Sequence, residues 1–225
     1  MQTRYQLQHN GERLELHDST DPKIGPVYVD FVSGKARHRL QFGGGKGQAI
    51  AKAVGLHKIK QPRIVDATAG LGREAFVLAS LGCEVTLLER SPILHALLAD
   101  GLQRALHCED VDLRNIASRM QLHHADAQVW LHSLSAAAYP DVVYLDPMFP
   151  ERRKSAQIQK EMRFLHAIVG EDPDANDLLS IARQRCHKRV TVKRPRLAPA
   201  LADYAPAFVI QGKVVRYDVY LALKT

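Results

Sequence analysis

The alternation that begins at Arg63 restricts the fold more than any other feature of this chain. Arg63-Ile64-Val65-Asp66 reads as a strand, and Gly72 to Leu81 as a helix closed by Gly82. Glu84 to Glu89 is a second strand. Ser91-Pro92 then starts a helix, with Ser as N-cap and Pro at the first helical position. Ile93/Leu97 and Leu94/Leu98 pair at i,i+4 on its buried face. Met120 to His124 and Asp141 to Leu145 read as further strands around a short helix from Ala127 to Leu134. Segments 160–169 and 178–187 look helical, Arg189 to Lys193 is a fifth strand, and Phe208 to Leu223 closes as a hairpin across Gly212-Lys213. Strands alternating with helices predict an α/β fold, with a mostly parallel sheet covered on both faces.

The first third is organised differently. Arg13 to Leu16 and Val27 to Val32 read as short strands, separated by turns at Asp21-Pro22 and Gly25-Pro26. Residues 1–41 are therefore expected to form a small N-terminal β appendage, and residues 42–225 the main domain. The run Phe42-Gly43-Gly44-Gly45-Lys46-Gly47 leads into a short helix from Gln48, ended by Gly55. Lys46 is followed by Gly47 rather than Ser or Thr, so this is not a phosphate-binding P-loop. A plain turn and a loop lying over a cofactor are both open here.

The stretch Val143 to Pro150 ends an apolar run abruptly in Asp146-Pro147-Met148-Phe149-Pro150. Pro stops strands, so Asp146 is expected at the carboxyl end of a buried strand, where open α/β sheets place their chemistry. A second acidic site follows the first strand: Asp66-Ala67-Thr68-Ala69-Gly70-Leu71-Gly72 opens a helix, and Gly70 and Gly72 allow close approach of a ligand. Glu89 ends the second strand, where an acid can accept both ribose hydroxyls of a nucleoside cofactor. Gly70-x-Gly72-x-x-Ala75 also fits the dinucleotide fingerprint. Asp66 tips the balance between the two cofactors: a carboxylate before the loop suits the cationic amino group and sulfonium of S-adenosylmethionine and would repel a pyrophosphate.

Composition excludes several other classes. No apolar run reaches the ~18 residues of a membrane span, and Met1 to Asn10 lacks a signal-peptide apolar region. A cytoplasmic product is expected. Cys83, Cys108 and Cys186 are far apart with no Cys-x-x-Cys, which suggests neither a zinc site nor a disulfide framework. His123, His124 and His132 lack a metal-binding spacing, so no metal is expected. The net charge is +7, and residues 151–196 hold 12 Lys/Arg against 6 Asp/Glu, directly after the Asp-Pro-x-Phe tetrad. That placement favours an anionic partner.

The tetrad resembles the (Asp/Asn/Ser)-Pro-Pro-(Tyr/Phe/Trp) signature of amino-group methyltransferases, with Met148 in place of the second Pro. Together with Asp-x-x-x-Gly-x-Gly and the acid at Glu89, it resembles the class I S-adenosylmethionine-dependent methyltransferases. Longer segments narrow this: Val29-Asp30-Phe31-Val32, Phe42-Gly43-Gly44-Gly45, Val65 to Arg73, Leu88-Glu89-Arg90, Tyr144 to Pro150 and Val192-Lys193-Arg194-Pro195 look like the RsmJ family. That family methylates the N2 amine of a guanosine in 16S ribosomal RNA of the bacterial small subunit. The resemblance implies a Rossmann-like, seven-stranded sheet whose last strand is antiparallel, S-adenosyl-L-methionine as cofactor, and 16S ribosomal RNA or the small ribosomal subunit as partner. It implies cofactor contacts at Asp66, Gly70, Gly72, Arg73, Glu74, Glu89, Arg90, Asp126, Ala127 and Asp146. Asp146 and the Pro147 carbonyl would accept from the target amine, and Phe149 would stack on the base. Arg152, Arg153, Lys154, Lys193, Arg194 and Arg196 are the expected RNA contacts. Methylation of adenine N6 or a protein glutamine, an NAD(P)-dependent oxidoreductase and a non-catalytic RNA-binding protein are the competing readings.

Overall fold

The computed structural model describes residues 4–21, 25–33, 45–148, 164, 168, 170, 172–202, 205–212 and 214–223. A hairpin of β1 (Tyr5–His9) and β2 (Leu14–Asp18) opens the chain. After α1 (Ala49–Val54) come β3 (Arg63–Asp66), α2 (Arg73–Ser80), β4 (Glu84–Glu89), α3 (Pro92–His107), α4 (Val111–Ala117) and β5 (Met120–His124). The chain continues through α5 (Ala127–Ser133), β6 (Val142–Leu145), α6 (Ala175–Gln184), β7 (Arg189–Pro195), β8 (Phe208–Gln211) and β9 (Val215–Leu221).

The main sheet has seven strands in the order β5-β4-β3-β6-β7-β9-β8. The first five are parallel, and β9 runs antiparallel to both β7 and β8. Strand order therefore reverses between β3 and β6, and a crevice opens beyond their carboxyl ends. The two-residue period sends alternate side chains into two cores. Ile64, Leu87, Val142 and Tyr144 pack with α2, α3 and α4 on one face. Val65, Leu88, Val143 and Leu145 pack with α5 and α6 on the other.

Local chemistry sets the ends. Gly55 takes φ 85° and closes α1 with its N–H on the carbonyls of Ala51 and Lys52. Ser91 caps α3 through Leu94 N–H, with Pro92 in the first turn as predicted. Phe31 stacks on Phe76 at 4.7 Å, and a Cβ on Gly101 would lie 2.4 Å from Val29 Cγ1, so α3 meets the N-terminal segment almost backbone to side chain.

Three expectations are corrected. The segment Val27 to Val32 is not a strand; only Val27 bridges, to Leu16. Asp30 accepts from the N–H groups of Val32 and Ser33 and turns the chain there. The partner of β2 is instead β1, which the sequence reading missed. The helix placed at 178–187 runs from Ala175 to Gln184. The expected 160–169 helix falls mostly outside the described residues, as do Phe42 to Gly44 and Lys213.

Candidate active site

A cavity of about 400 Å³ lies at the reversal point, within the range of small-molecule sites. Asp66 ends β3 at its floor and is 1% exposed. Burial pushes its carboxyl up to about 8; the Thr68 N–H opposes that, and Glu74, Asp146 and Glu89 add to it. Glu89, ending β4, is also buried, and burial raises its pKa against the pull of two backbone N–H groups. Those bonds set its orientation: Ser91 N–H donates to Oε1 at 2.7 Å and Gly70 N–H to Oε2 at 2.9 Å.

The two glycines of the loop have different reasons to be glycine. Gly70 has φ 54°, and a Cβ there would meet nothing closer than the Thr68 carbonyl at 3.9 Å. Gly72 does not line the cavity. Its φ is 70°, and a Cβ would strike Leu98 Cδ1 at 2.6 Å and Phe31 Cζ at 3.1 Å. Gly72 thus permits helix packing rather than ligand approach, which removes the second glycine from the dinucleotide fingerprint.

Asp146 follows β6 into the same cavity. Its backbone N–H donates to Thr68 Oγ1 at 2.7 Å, so the loop after β3 holds the chain after β6. Its Oδ2 accepts from Lys193 Nζ at 2.6 Å, and the same ammonium donates to Glu74 Oε1 at 3.1 Å. Pro147 is buried beside it. Met148 N–H donates to Asp172 Oδ2 at 2.8 Å. Arg90 binds both Asp172 and Asp174, and Gln128 Nε2 donates to Asp174 Oδ2 at 3.0 Å. The segment before α6 thereby braces the tetrad, the end of β4 and α5 together.

On the far wall Asp126 caps α5, its Oδ1 accepting from the N–H groups of Gln128 and Val129 at 2.9 and 3.0 Å. Ala127, Arg73, Glu74 and Arg90 also line the cavity. The fold therefore gathers every expected cofactor residue except Gly72 around one space. Sequence reasoning missed Thr68, Asp172, Asp174, Gln128 and Tyr144. Thr68 lies inside the quoted loop motif, and the Asp172-Pro173-Asp174 triplet was visible as acids in a basic region. The Tyr144 hydroxyl is buried and, among the described residues, has no hydrogen-bond partner. Burial, with Asp146 and Glu74 nearby, raises its pKa well above the ordinary value.

The expected RNA contacts divide. Arg152, Arg153 and Lys154 lie outside the described residues, as does Phe149. Lys193 does not face solvent as a phosphate contact: two carboxylates hold it, and its side chain is 21% exposed. Arg194 is buried at 4% exposure, with Nε and Nη2 both donating to the Pro199 carbonyl. Alternation along β7 sends these two consecutive side chains to opposite faces of the sheet, and each is engaged within the protein. Arg196, past the end of β7, is exposed. Among the described residues no cluster of three metal-ligating side chains is present. None of the described helices is long and apolar enough to cross a membrane.

The donor set fits a cationic ligand. Seven acids (Asp66, Glu74, Glu89, Asp126, Asp146, Asp172 and Asp174) line the cavity against Arg73, Arg90, Lys193 and Arg194, and of these cations Lys193 and Arg90 are already engaged by carboxylates. A buried carboxyl that holds its proton is stabilised as an anion by a cation placed beside it, whereas a pyrophosphate there would meet repulsion.

Comparison with known proteins agrees. The family profile described as "Putative SAM-dependent methyltransferase" matches residues 1–222. A protein of Cellvibrio japonicus (strain Ueda107) named Ribosomal RNA small subunit methyltransferase J is 52% identical over 214 residues, 94% of this chain and 80% of that one. Its namesake in Tolumonas auensis is 54% identical over 211 residues, 93% and 83% of the two chains. The crystal structure of the SAM-dependent methyltransferase NGO1261 from Neisseria gonorrhoeae superposes with a TM-score of 0.77 at 41% identity, covering 97% of this chain and 83% of that one. The rRNA methyltransferase aviRa from Streptomyces viridochromogenes shares the fold, with a TM-score of 0.51 at 14% identity over 78% of this chain and 83% of that one. This chain belongs to the family of S-adenosylmethionine-dependent methyltransferases that includes the ribosomal RNA small subunit methyltransferases J.

Proposed function

We propose that this protein transfers a methyl group from S-adenosylmethionine to the exocyclic N2 amine of a guanosine in 16S ribosomal RNA. The carrying observation is the meeting of two acids at the reversal point. Asp66 ends β3 and Asp146 follows the adjacent β6; both line one cavity and are joined through Thr68. In this reading Asp66, Gly70, Glu89, Asp126 and Ala127 hold the cofactor, with Arg73, Glu74 and Arg90 at its rim. Glu89 has both oxygens fixed by backbone N–H groups and turns its remaining lone pairs to the ribose. Bound S-adenosylmethionine supplies a methyl already activated by its sulfonium.

Guanine N2 is a poor nucleophile because its lone pair is delocalised into the ring. Hydrogen bonds from its protons to Asp146 and the Pro147 carbonyl favour a pyramidal nitrogen with an available pair. The nitrogen sheds one proton as the new bond forms, and Asp146 is placed to take it. Alignment of nitrogen, carbon and sulfur supplies roughly 7–11 kcal/mol in favourable cases. Phe149 stacks on the base, a contact worth ~1–3 kcal/mol, and the base must be unpaired or extruded. Arg196, with Arg152, Arg153 and Lys154, holds phosphates without reading sequence. The same reading divides the chain into an appendage at 1–41 and a catalytic domain at 42–225, acting in the cytoplasm where small subunits are made.

The test is transfer of labelled methyl to small ribosomal subunits lacking the modification, followed by nucleoside analysis. Label in N2-methylguanosine is expected, and Asp146→Ala should abolish it with cofactor binding retained. Label in N6-methyladenosine would keep the mechanism and overturn the substrate. Full turnover by Asp146→Ala would remove Asp146 from the reaction.

A further inference from the structure

Lys193 stands where sequence reasoning expected a phosphate contact, yet its ammonium points into the catalytic cavity. Leu145 and Val192 pair across β6 and β7, so Asp146 and Lys193 are level, each one residue further on. From there Nζ reaches Asp146 Oδ2 at 2.6 Å and Glu74 Oε1, on the first turn of α2, at 3.1 Å. One side chain thus spans from β7 across the tetrad to the helix that follows the cofactor loop. The backbone of Asp146 is fixed separately by Thr68 Oγ1. Two independent bonds, one on the main chain and one on the carboxylate, hold the same residue.

We propose that Lys193 is a positioning residue for methyl transfer: clamped between Glu74 and Asp146, it fixes the orientation of the Asp146 carboxylate and keeps it an anion. The inference rests on the reading of Asp146 as acceptor of the target amine. The charges around Asp146 make a cation necessary. Asp66 faces it from β3, Glu74 from α2 and the Tyr144 hydroxyl from β6, with Tyr217 of β9 beyond Tyr144. Lys193 is the cation bonded to both Asp146 and Glu74. Burial disfavours its ammonium, but attraction to Asp146 and Glu74 outweighs that and holds its pKa above the ordinary lysine value. A protonated carboxyl would turn one acceptor oxygen into a donor, whereas an ionised one offers about four lone-pair sites. Lys193 occupies one of them.

The test is the pH profile of kcat from pH 5.5 to 9.5 for Lys193→Met and Lys193→Arg, on small ribosomal subunits, with cofactor affinity measured alongside. An opposite charge within 4–6 Å lowers a carboxyl pKa by about 1–3. Lys193→Met should therefore move the acidic limb up by about 1–3 pH units. Its kcat should fall most at the acidic end of that range, with the deficit shrinking towards pH 9. KM for RNA should stay near wild type, and Lys193→Arg should return the limb to its place. Should Lys193→Met not fold, Glu74→Gln gives the opposite reading, moving the limb to lower pH because the ammonium is then committed to Asp146. A loss equal at every pH would overturn the proposal. So would a weaker RNA affinity with a reduced salt slope, the mark of a phosphate contact, or a defect confined to cofactor binding. If Asp146→Ala retains turnover, the reading of Asp146 fails first, independently of these profiles.

Discussion

The buried acid at the end of β3 makes a demanding prediction. Asp66 is 1% exposed, and its carboxyl is pushed from 3.8 to about 8 in the ligand-free protein. The native state therefore keeps a proton that the unfolded chain has already released. Stability linked to that proton is fully present below the unfolded value of about 3.8 and is lost as pH rises through about 8. The loss integrates to on the order of 5 kcal/mol. Asp66→Asn keeps the shape and can still accept from Thr68 N–H, but never ionises. Urea unfolding at pH 4 and pH 8 should show the variant close to wild type at the lower pH and several kcal/mol more stable at the higher.

The same proton reports on function. At pH 7 roughly one ligand-free molecule in ten carries the Asp66 carboxylate, so a cation that requires it binds about tenfold more weakly than at pH 9. Calorimetric titration with S-adenosylmethionine at pH 7, in two buffers of different ionisation enthalpy, should show nearly one more proton released by wild type than by Asp66→Asn. Using the difference removes titration of the ligand's own amine. Equal pH dependence of stability in the two proteins, together with equal proton release, would refute the argument.

Gly72→Ala should destabilise by about 2–4 kcal/mol, since it adds the strain of a left-handed φ to a Cβ pressed on Leu98 and Phe31, and thermal unfolding would read it directly. Tyr144→Phe removes a buried hydroxyl with no partner among the described residues, and should leave the ligand-free protein as stable or more stable by about 1 kcal/mol in urea. A loss of that size would mean that the hydroxyl is satisfied in solution. Arg196→Ala should lower the salt slope of RNA binding by about one, in a filter-binding series across ionic strength. Arg194→Ala should act on stability instead, because its guanidinium holds the β7–β8 connection through the Pro199 carbonyl.

What the sequence disclosed and what it hid follow from the range of the forces. The bounds of β3, β4 and β5, and the starts of α1 and α3, were legible because period, cap and breaker act within a few residues. The seven-residue α4 was missed: its signal is one capping acid, Asp110, and a short apolar face. Val27 to Val32 misled because its β-forming residues surround Asp30, whose side chain captures two amides and turns the chain. Asp66, Glu89 and Asp146 were legible because strand ends mark them. The role of Lys193 was not, since its partners lie 47 and 119 residues away and nothing local separates it from the other cations of its region. Arg194 hid although its partner, Pro199, is only five residues on, because nothing local separates it from the other cations either.

The bond from Asp146 N–H to Thr68 Oγ1 has a thermodynamic consequence. In the function proposed above, Thr68 belongs to the loop that would meet the cofactor, and Asp146 to the turn that would meet the nucleotide. A ligand that tightens either segment spends part of the ordering cost of the other. Binding free energies coupled in this way are reciprocal: whatever factor the cofactor adds to RNA affinity, RNA must add to cofactor affinity. Thr68→Val, nearly the same size and without an acceptor oxygen, should leave each ligand able to bind alone while erasing that shared factor. The Thr68 hydroxyl would then carry the coupling between the two substrates, whichever arrives first.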